Sequence, residues 1–143
     1  MIMSSMLLLF SVLLSNAFTP NLPCGSWSPP KHLSRIKVQE DCRQTQGDLA
    51  VAKPKSIYWC SKVAKQLEEY DPGISVFYYV HEYGHYVEGS DEKKVDCWAA
   101  KQLANTCYIS IAKSHFLRWG DQYLENYGYM RDRANNIEKC SKQ

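Results

Sequence analysis

A chain of 143 residues is long enough for one domain, and its 17 basic and 15 acidic residues leave a formal net charge of +2. This near balance gives no argument for a nucleic acid partner or for an anionic membrane surface, so we expect neither. Beyond the first residues, no run is long and apolar enough to predict a transmembrane helix.

The beginning of the chain has the pattern of a secretory signal peptide. Residues 1–14 are apolar but too short to span a bilayer comfortably, and Ser15-Asn16-Ala17 follows as a small-x-small cleavage pattern. Because no Lys or Arg precedes the apolar run, an uncleaved membrane anchor is the alternative. We predict a signal peptide over 1–17 and a secreted protein, extracellular or periplasmic, with no membrane contact after cleavage.

All six cysteines follow the predicted cleavage point. An even number of cysteines in a short exported chain predicts three disulfides, formed by Cys24, Cys42, Cys60, Cys97, Cys107 and Cys140. The alternative is that some are zinc ligands or buried thiols. The sequence alone does not choose the pairing, and the absence of any C-x-x-C pair argues against a structural zinc ribbon.

The rest of the chain divides into an arm and a mainly helical domain. Residues 18–52 begin with several prolines, which predicts a Pro-containing N-terminal arm that could be an inhibitory pro-segment; it is irregular over 18–35, and a short strand or helix is possible over 35–49. In the domain, residues 53–143, the segment 56–60 is β-branched and aromatic and predicts a strand. Apolar spacing and the breaks between segments predict helices over 61–70, 74–87, 91–106, 109–118 and 122–140, with Ser90 as a possible cap.

The most specific feature of the sequence is the pentapeptide HEYGH, residues 81–85, which fits the pattern H-E-x-x-H. On a helix, His81 and His85 lie on one face and can bind one metal ion, with Glu82 close enough to act on a metal-bound water. An ordinary helical pair of solvated histidines is the alternative. Zinc is the expected ion because imidazole suits it, and Gly84 permits another backbone to approach closely.

A third ligand must follow the two histidines, and three acids are candidates. The turn after His85 is short, so an antiparallel helix hairpin is predicted, with Glu92 level with His85 and Asp96 level with His81. We rank Glu92 first, Asp96 second and Asp91 third. Acidic residues also favour the start of a helix, which explains one or two of them without a metal.

HEYGH followed by E-x-x-x-D and then Cys97-Trp98-Ala99-Ala100 resembles the small neutral zinc metallopeptidases of the gluzincin type, over roughly residues 57–104. The resemblance implies that Glu92 is the third ligand and that Asp96 orients His81 or His85. It implies a small zincin-like single domain of the α+β class, mainly helical, with a metal-binding helix hairpin and one or two edge strands. The gap before Glu92 is shorter than in that group. A short gap is instead similar to that of the metzincins, whose ligand spacing would make Asp91 the third ligand in this sequence.

These residues predict a secreted, monomeric zinc peptidase that acts on peptide or protein substrates, with zinc as cofactor and Glu82 as the general base. Alternatives are a catalytically silent secreted zinc-binding module and a zinc amidase that acts on cell-wall peptides.

Segment 56–60 could be an edge strand that pairs with substrate, or a core strand. Further candidates are His115, Tyr127 and Tyr129 as donors to an oxyanion, and Arg131 or Arg133 as partners of Asp96 or of a substrate carboxylate, with ordinary core or surface roles as the alternative.

Overall fold

A computed structural model describes residues 22–143; the predicted signal peptide and its cleavage site lie outside the described residues. A 3-10 helix at Lys31–Leu33 precedes the regular elements. These are β1 (Lys37–Glu40), α1 (Cys42–Thr45), β2 (Ala50–Ala52), β3 (Ser56–Trp59), α2 (Ser61–Tyr70), α3 (Ile74–Glu88), α4 (Glu92–Gln102), α5 (Tyr108–Arg118), β4 (Tyr123–Leu124), β5 (Gly128–Tyr129) and α6 (Met130–Ser141). The predicted α+β, mainly helical, disulfide-bonded single domain is therefore confirmed.

Helix α3 is the centre of the helical layer. It packs against α4 on one side and α5 on another, and α6 covers both of these helices. Phe77 and Val80 of α3 are fully buried, and the Phe77 ring meets the Phe116 ring of α5 edge-on at 5.9 Å between centroids. A helix that is apolar on several faces is buried on several faces, and α3 satisfies this rule through its first three turns.

Helices α3 and α4 form the predicted antiparallel hairpin. Gly89 ends α3 with φ +78°, and the Asp91 carboxylate accepts hydrogen bonds from the backbone N–H groups of Lys93 and Lys94. The cap is therefore Asp91 and not Ser90. At Gly84 a Cβ atom would lie 2.9 Å from Val95 Cγ1, so glycine allows α4 to pack directly on α3.

The sheet decides between the two roles predicted for segment 56–60. Its strand order is β1-β3-β2, with β3 parallel to β1 and antiparallel to β2, so this segment forms the central strand and not an edge. The edge strand beside α3 is β2. Strand β1 lies within 35–49, for which the sequence allows a short strand or helix, and β2 follows it, so both strands come from the predicted N-terminal arm.

Three disulfides tie the layers together. The pairs are Cys24–Cys107, Cys42–Cys60 and Cys97–Cys140, and the described residues contain no free cysteine. These bonds fit an oxidising environment. Trp27 also fixes the N-terminal segment, since its ring lies 5.6 Å from Tyr83 and 6.3 Å from Trp98, centroid to centroid. Within 22–143, none of the helices has the length and apolar character needed to cross a bilayer.

The final part of the domain differs from the predicted helix over 122–140. A short antiparallel hairpin, β4–β5, occupies its first third, and α6 begins only at Met130. Gly128 has φ +75°, which a turn can accept and an α-helix cannot. This hairpin positions Tyr127 above the third turn of α3, beside His81.

Candidate metal centre

The two histidines of the HEYGH segment point the same way from α3. Their rings are 5.0 Å apart between centroids and nearly perpendicular, as the i, i+4 spacing on one helical face requires. His81 is buried and His85 is partly buried. The Nε2 atoms of both rings face the start of α4, where Glu92 is the first helical residue.

Glu92 completes a group of three possible ligands. Its Oε2 atom lies 3.0 Å from His81 Nε2 and 3.5 Å from His85 Nε2. One ligand atom from each of these residues lies within 4.8 Å of the others, so the group could hold a metal ion. Of the three ranked acids, the structure brings Glu92 to this point, whereas Asp91 caps α4 with its carboxylate.

The second nitrogen of each histidine has its own acceptor. His81 Nδ1 lies 2.7 Å from Asp96 Oδ1, and His85 Nδ1 lies 2.8 Å from the carbonyl oxygen of Gly89. A ring whose Nδ1–H donates to such an acceptor keeps Nε2 as the metal-binding nitrogen. The donor set of two Nε2 atoms and one carboxylate therefore fits a metal with an open coordination position.

Asp96 is held from the other side by Arg133 of α6. The guanidinium donates from Nε to Asp96 Oδ2 at 2.8 Å and from an Nη atom to Asp96 Oδ1 at 3.1 Å. It also lies 3.9 Å from the ring centroids of both Phe116 and Tyr127. Arg133 is thus a buried partner of Asp96, and the disulfide from Cys97 to Cys140 joins the two helices that carry this pair.

The charges around His81 favour its protonated form while no metal competes. Burial acts to lower the pKa of His81, but the hydrogen bonds with Asp96 and Glu92 outweigh it and raise this pKa to about 9. For Glu92, burial acts upward, yet the hydrogen bonds with His81 and Tyr127 hold the carboxyl pKa below its usual range. The site therefore stabilises positive charge between its carboxylates, as a cation-binding site must.

Glu82 is enclosed beside the ligand group and is only 7% exposed. Burial raises the pKa of its carboxyl group, and the neighbouring His81 and His85 oppose this rise. A backbone hydrogen bond from Ala52 of β2 reaches the carboxylate. Lys53 N–H bonds to Ser56 in β3, so the N–H of Ala52 points to the opposite edge of β2, toward Glu82.

A cleft of about 560 Å³ opens onto the site. One wall is β2 with the following Lys53 and Pro54, and the opposite wall is Tyr127 with Asn126 of the hairpin turn. A smaller cavity of about 300 Å³ continues inward from His81 and Glu82 between Leu49, Val63, Leu67 and Leu124. The arrangement leaves room for an extended chain along β2 and for an apolar side chain beside Glu82.

Tyr127 is the tyrosine that reaches the centre. Its hydroxyl lies 3.4 Å from His81 Nε2 and hydrogen-bonds Glu92, and burial raises the pKa of the phenol, so the group remains a proton donor. Tyr129 points elsewhere: it is 46% exposed and stacks edge-on with Tyr123. Arg131 also lies outside the centre and pairs with Asp121 at 3.3 Å.

The remaining histidines do not join the group. His32 is exposed in the 3-10 helix, and His115 is buried in α5 between Asp71 and the hydroxyl of Tyr78. Sequence reasoning missed the contribution of Ala52 because a three-residue strand of small side chains has no distinctive pattern. It also missed the role of the Gly89 carbonyl, which depends on the backbone conformation at the end of α3.

No family model matches the chain, and no curated protein or solved structure matches it. The resemblance to gluzincin-type peptidases therefore rests on the HEYGH and E-x-x-x-D segments. What the structure adds is that the first two histidines and the first acid of these segments meet at one point.

Proposed function

We propose that this protein is a zinc-dependent peptidase in which His81, His85 and Glu92 hold the metal and Glu82 is the general base. The observation that carries the proposal is the convergence of the three ligand atoms within 4.8 Å, with a buried carboxylate beside them that binds none of them. A purely structural metal site has no use for such a carboxylate. Three disulfides support the further proposal that the enzyme is secreted and works outside the cell.

Zinc is the metal that this donor set favours. Two imidazoles and one carboxylate, with an open fourth position, are the ligands of catalytic zinc in hydrolases. When bound, zinc supplies a water of lowered pKa and polarises the substrate carbonyl.

Glu82 has the surroundings of a group that accepts and returns a proton. Burial raises its pKa toward neutral pH, where a general base is most effective. The backbone N–H of Ala52 donates a hydrogen bond to the Glu82 carboxylate, and Glu82 also lines the cleft. In the proposed reaction Glu82 takes a proton from the attacking water and passes it to the leaving amine.

Two further groups would act on the substrate. The hydroxyl of Tyr127 can donate a hydrogen bond to the oxygen that becomes negative as water attacks the carbonyl. The outer edge of β2 offers the backbone N–H and carbonyl groups of Ala50 and the carbonyl oxygen of Ala52 to an extended peptide, which would bind as an additional strand. The proposed substrate is therefore a polypeptide segment in extended conformation.

The test is the variant Glu82→Gln, compared with wild type on a library of fluorogenic peptides after loading with zinc. Glu82→Gln should keep the fold and the zinc and lose at least about 10²- to 10⁴-fold in kcat/KM. Glu88→Gln is the matched control, since Glu88 is exposed at the end of the same helix, and its activity should equal that of wild type. Equal cleavage by wild type and Glu82→Gln would contradict the proposed role of the base.

The same experiment separates the alternatives. If wild type carries zinc but cleaves no peptide, the silent zinc-binding module is favoured. If it cleaves only amides of cell-wall peptides, the amidase is favoured, and Glu82→Gln should still abolish the reaction because the base has the same task.

A further inference from the structure

The structure assigns a second binding site to this protein: a basic pocket next to the metal cleft, which we propose binds acidic side chains of the substrate polypeptide. The pocket has a volume of about 590 Å³, the cations that line it are Arg35 and Lys55, and His32 also contributes to its lining. The inference rests on the proposed peptidase function, because the occupant is taken to be the chain that lies in the cleft.

The two permanent cations have no acidic partner. Arg35 and Lys55 are both exposed, and within residues 22–143 neither makes an ion pair. No acidic side chain of the described part of the chain lines the pocket. Other arginines in that part, Arg118, Arg131 and Arg133, are each matched to an aspartate, so Arg35 differs from them in lacking a carboxylate.

The pocket is held on a rigid base. Leu33 and Ile36 belong to an apolar cluster with Ile57 and Tyr83. The parallel pairing of Lys37 with Ser56 places the residues just before each strand side by side, and these residues include Arg35 and Lys55. Arg35 lies in the turn before β1 and Lys55 in the bend before β3, so the pairing of these strands brings the two residues to the same end of the sheet.

The pocket and the metal cleft share a wall, formed by Pro54 and Tyr86. The Tyr86 hydroxyl donates to the carbonyl oxygen of Lys53 at 2.5 Å, which fixes this wall to α3. Because an extended residue spans roughly 3.3 Å, a peptide lying along β2 reaches the pocket within a few residues of the reacting bond.

The charge distribution distinguishes this pocket from the metal cleft. Three carboxylates, those of Asp48, Glu82 and Glu92, line the cleft together with one lysine, Lys53, whereas the permanent charges that line the neighbouring pocket are the two cations Arg35 and Lys55. A substrate with Glu or Asp on one flank of the cleaved bond matches this division. Opposite charges across the contact attract such a substrate and fix its register.

The test compares peptides that share one cleavage sequence and carry either Glu or Gln throughout one flank. At low salt, wild type should cleave the Glu peptide about 3- to 10-fold faster in kcat/KM than the Gln peptide, for one flank only, as two exposed charge pairs allow. The preference should fall at ~0.5 M NaCl because salt screens exposed charges. Arg35→Gln/Lys55→Gln should remove the preference, so that the Glu and Gln peptides are cleaved at equal rates.

The matched control is Lys62→Gln/Lys65→Gln, which removes two exposed charges from α2 outside the pocket and should retain the preference. Equal rates for Glu and Gln peptides in wild type, or equal loss in the control, would overturn the anion site while the peptidase proposal stands.

Binding is measured separately, by fluorescence anisotropy of the same labelled peptides with Glu82→Gln. One outcome separates the two proposals: no peptide is cleaved, the Glu peptide binds several-fold more tightly than the Gln peptide, and only Arg35→Gln/Lys55→Gln abolishes this difference in affinity. The peptidase proposal then fails and the anion site stands. A sulfated oligosaccharide of equal charge that binds the pocket more tightly than the Glu peptide would overturn the polypeptide as its occupant.

Discussion

Two clusters, each made of a buried histidine, an aspartate and an arginine, lie in the helical layer, with the histidine on α3 in one and on α5 in the other. In the first, His81 Nδ1 contacts Asp96, which Arg133 also binds. In the second, His115 Nδ1 lies 2.8 Å from Asp71 Oδ2, and Arg118 donates to Asp71 Oδ1 at 2.9 Å. A buried histidine with an aspartate and an arginine is therefore not in itself a functional site.

The difference lies at the other ring nitrogen. His115 Nε2 is 3.0 Å from the Tyr78 hydroxyl, and burial raises the pKa of that phenol to about 12, so it remains a donor. His81 Nε2 instead meets Glu92 and faces the cleft together with His85. The His115 cluster is complete as it stands, whereas the His81 cluster gathers acceptor atoms around one point.

The pKa values of the two histidines move in opposite directions because the rings have different numbers of carboxylate partners. Burial lowers the pKa of His115, and its single carboxylate partner does not compensate. Two carboxylates contact His81, and they raise its pKa to about 9 despite burial. One cluster thus keeps a neutral histidine as a structural link, and the other has excess negative charge that a cation can balance.

Replacing one histidine in each cluster should give the largest difference in zinc binding between the two clusters. His85→Ala should abolish stoichiometric zinc binding because two protein ligands remain where three are needed. His115→Gln should bind zinc as wild type does. The measurement is metal content after dialysis against zinc, on folded protein. If His85→Ala retains zinc, or if His115→Gln loses it, the metal has been assigned to the wrong cluster.

The two aspartates should differ in what their loss costs. Asp96→Ala leaves the Arg133 charge buried without its partner and should lower the free energy of unfolding by about 3–5 kcal/mol. It should also weaken zinc binding roughly 10- to 100-fold, because His81 loses the acceptor that orients it. Asp71→Ala should cost less, about 1–3 kcal/mol, because Arg118 can reach water, and should leave zinc affinity unchanged.

Denaturant unfolding and competitive zinc titration of the two variants check this pair. Equal zinc affinity in Asp96→Ala and wild type would show that His81 needs no orientation by Asp96.

The helix hairpin that carries His81 and Asp96 can be tested at Gly84. Gly84→Ala places a Cβ atom 2.9 Å from Val95 Cγ1 and 3.1 Å from Trp98, and should destabilise the fold by about 1–3 kcal/mol. Combining it with Val95→Ala removes the nearest atom, so the double variant should lose less stability than the two single losses together. Strict additivity in thermal unfolding would mean that the two helices separate without cost.

The smallest expected effect is a difference in pH dependence. The folded pKa of His115 lies below 6.5, so the unfolded chain binds its proton first, and stability contributed by neutral His115 falls as pH drops through about 6.5. His115→Gln should flatten the acid side of the stability curve of metal-free protein.

His81 should act on the other side of that curve. Its folded pKa of about 9 exceeds 6.5, so its stabilising effect on the metal-free protein is full below pH 6.5 and disappears as pH rises through 9. Urea unfolding at several pH values, with chelator present, measures both slopes. A flat curve between pH 6.5 and 9 would contradict the contacts assigned to His81.

The α3–α4 hairpin and its helices could be predicted because helical spacing, glycine turns and capping acids are local signals. Helix α2 and the start of α3 agree with the predicted bounds for this reason. The HEYGH segment likewise carries its geometry within one helix. The position of Glu92 beside the histidines could be predicted from the short turn after α3, because a short turn leaves two helices side by side.

What could not be predicted depends on contacts between distant parts of the chain. The strand order places β2 at the edge, although β3 has the stronger strand signal, and burial of Arg133 requires α6 to pack on α4. The hairpin that brings Tyr127 to the centre depends on a left-handed Gly128. The disulfide pairing follows from these same long-range contacts, so six cysteines alone could not determine it.

We propose that one of the two histidine clusters holds zinc and the other does not. Crystals of zinc-loaded protein, measured on either side of the zinc absorption edge, would locate the metal. We expect one anomalous peak, at about 2.0–2.2 Å from His81 Nε2, His85 Nε2 and a Glu92 oxygen, and no peak beside His115. A peak at any other group of residues, or no peak in protein saturated with zinc, would contradict it.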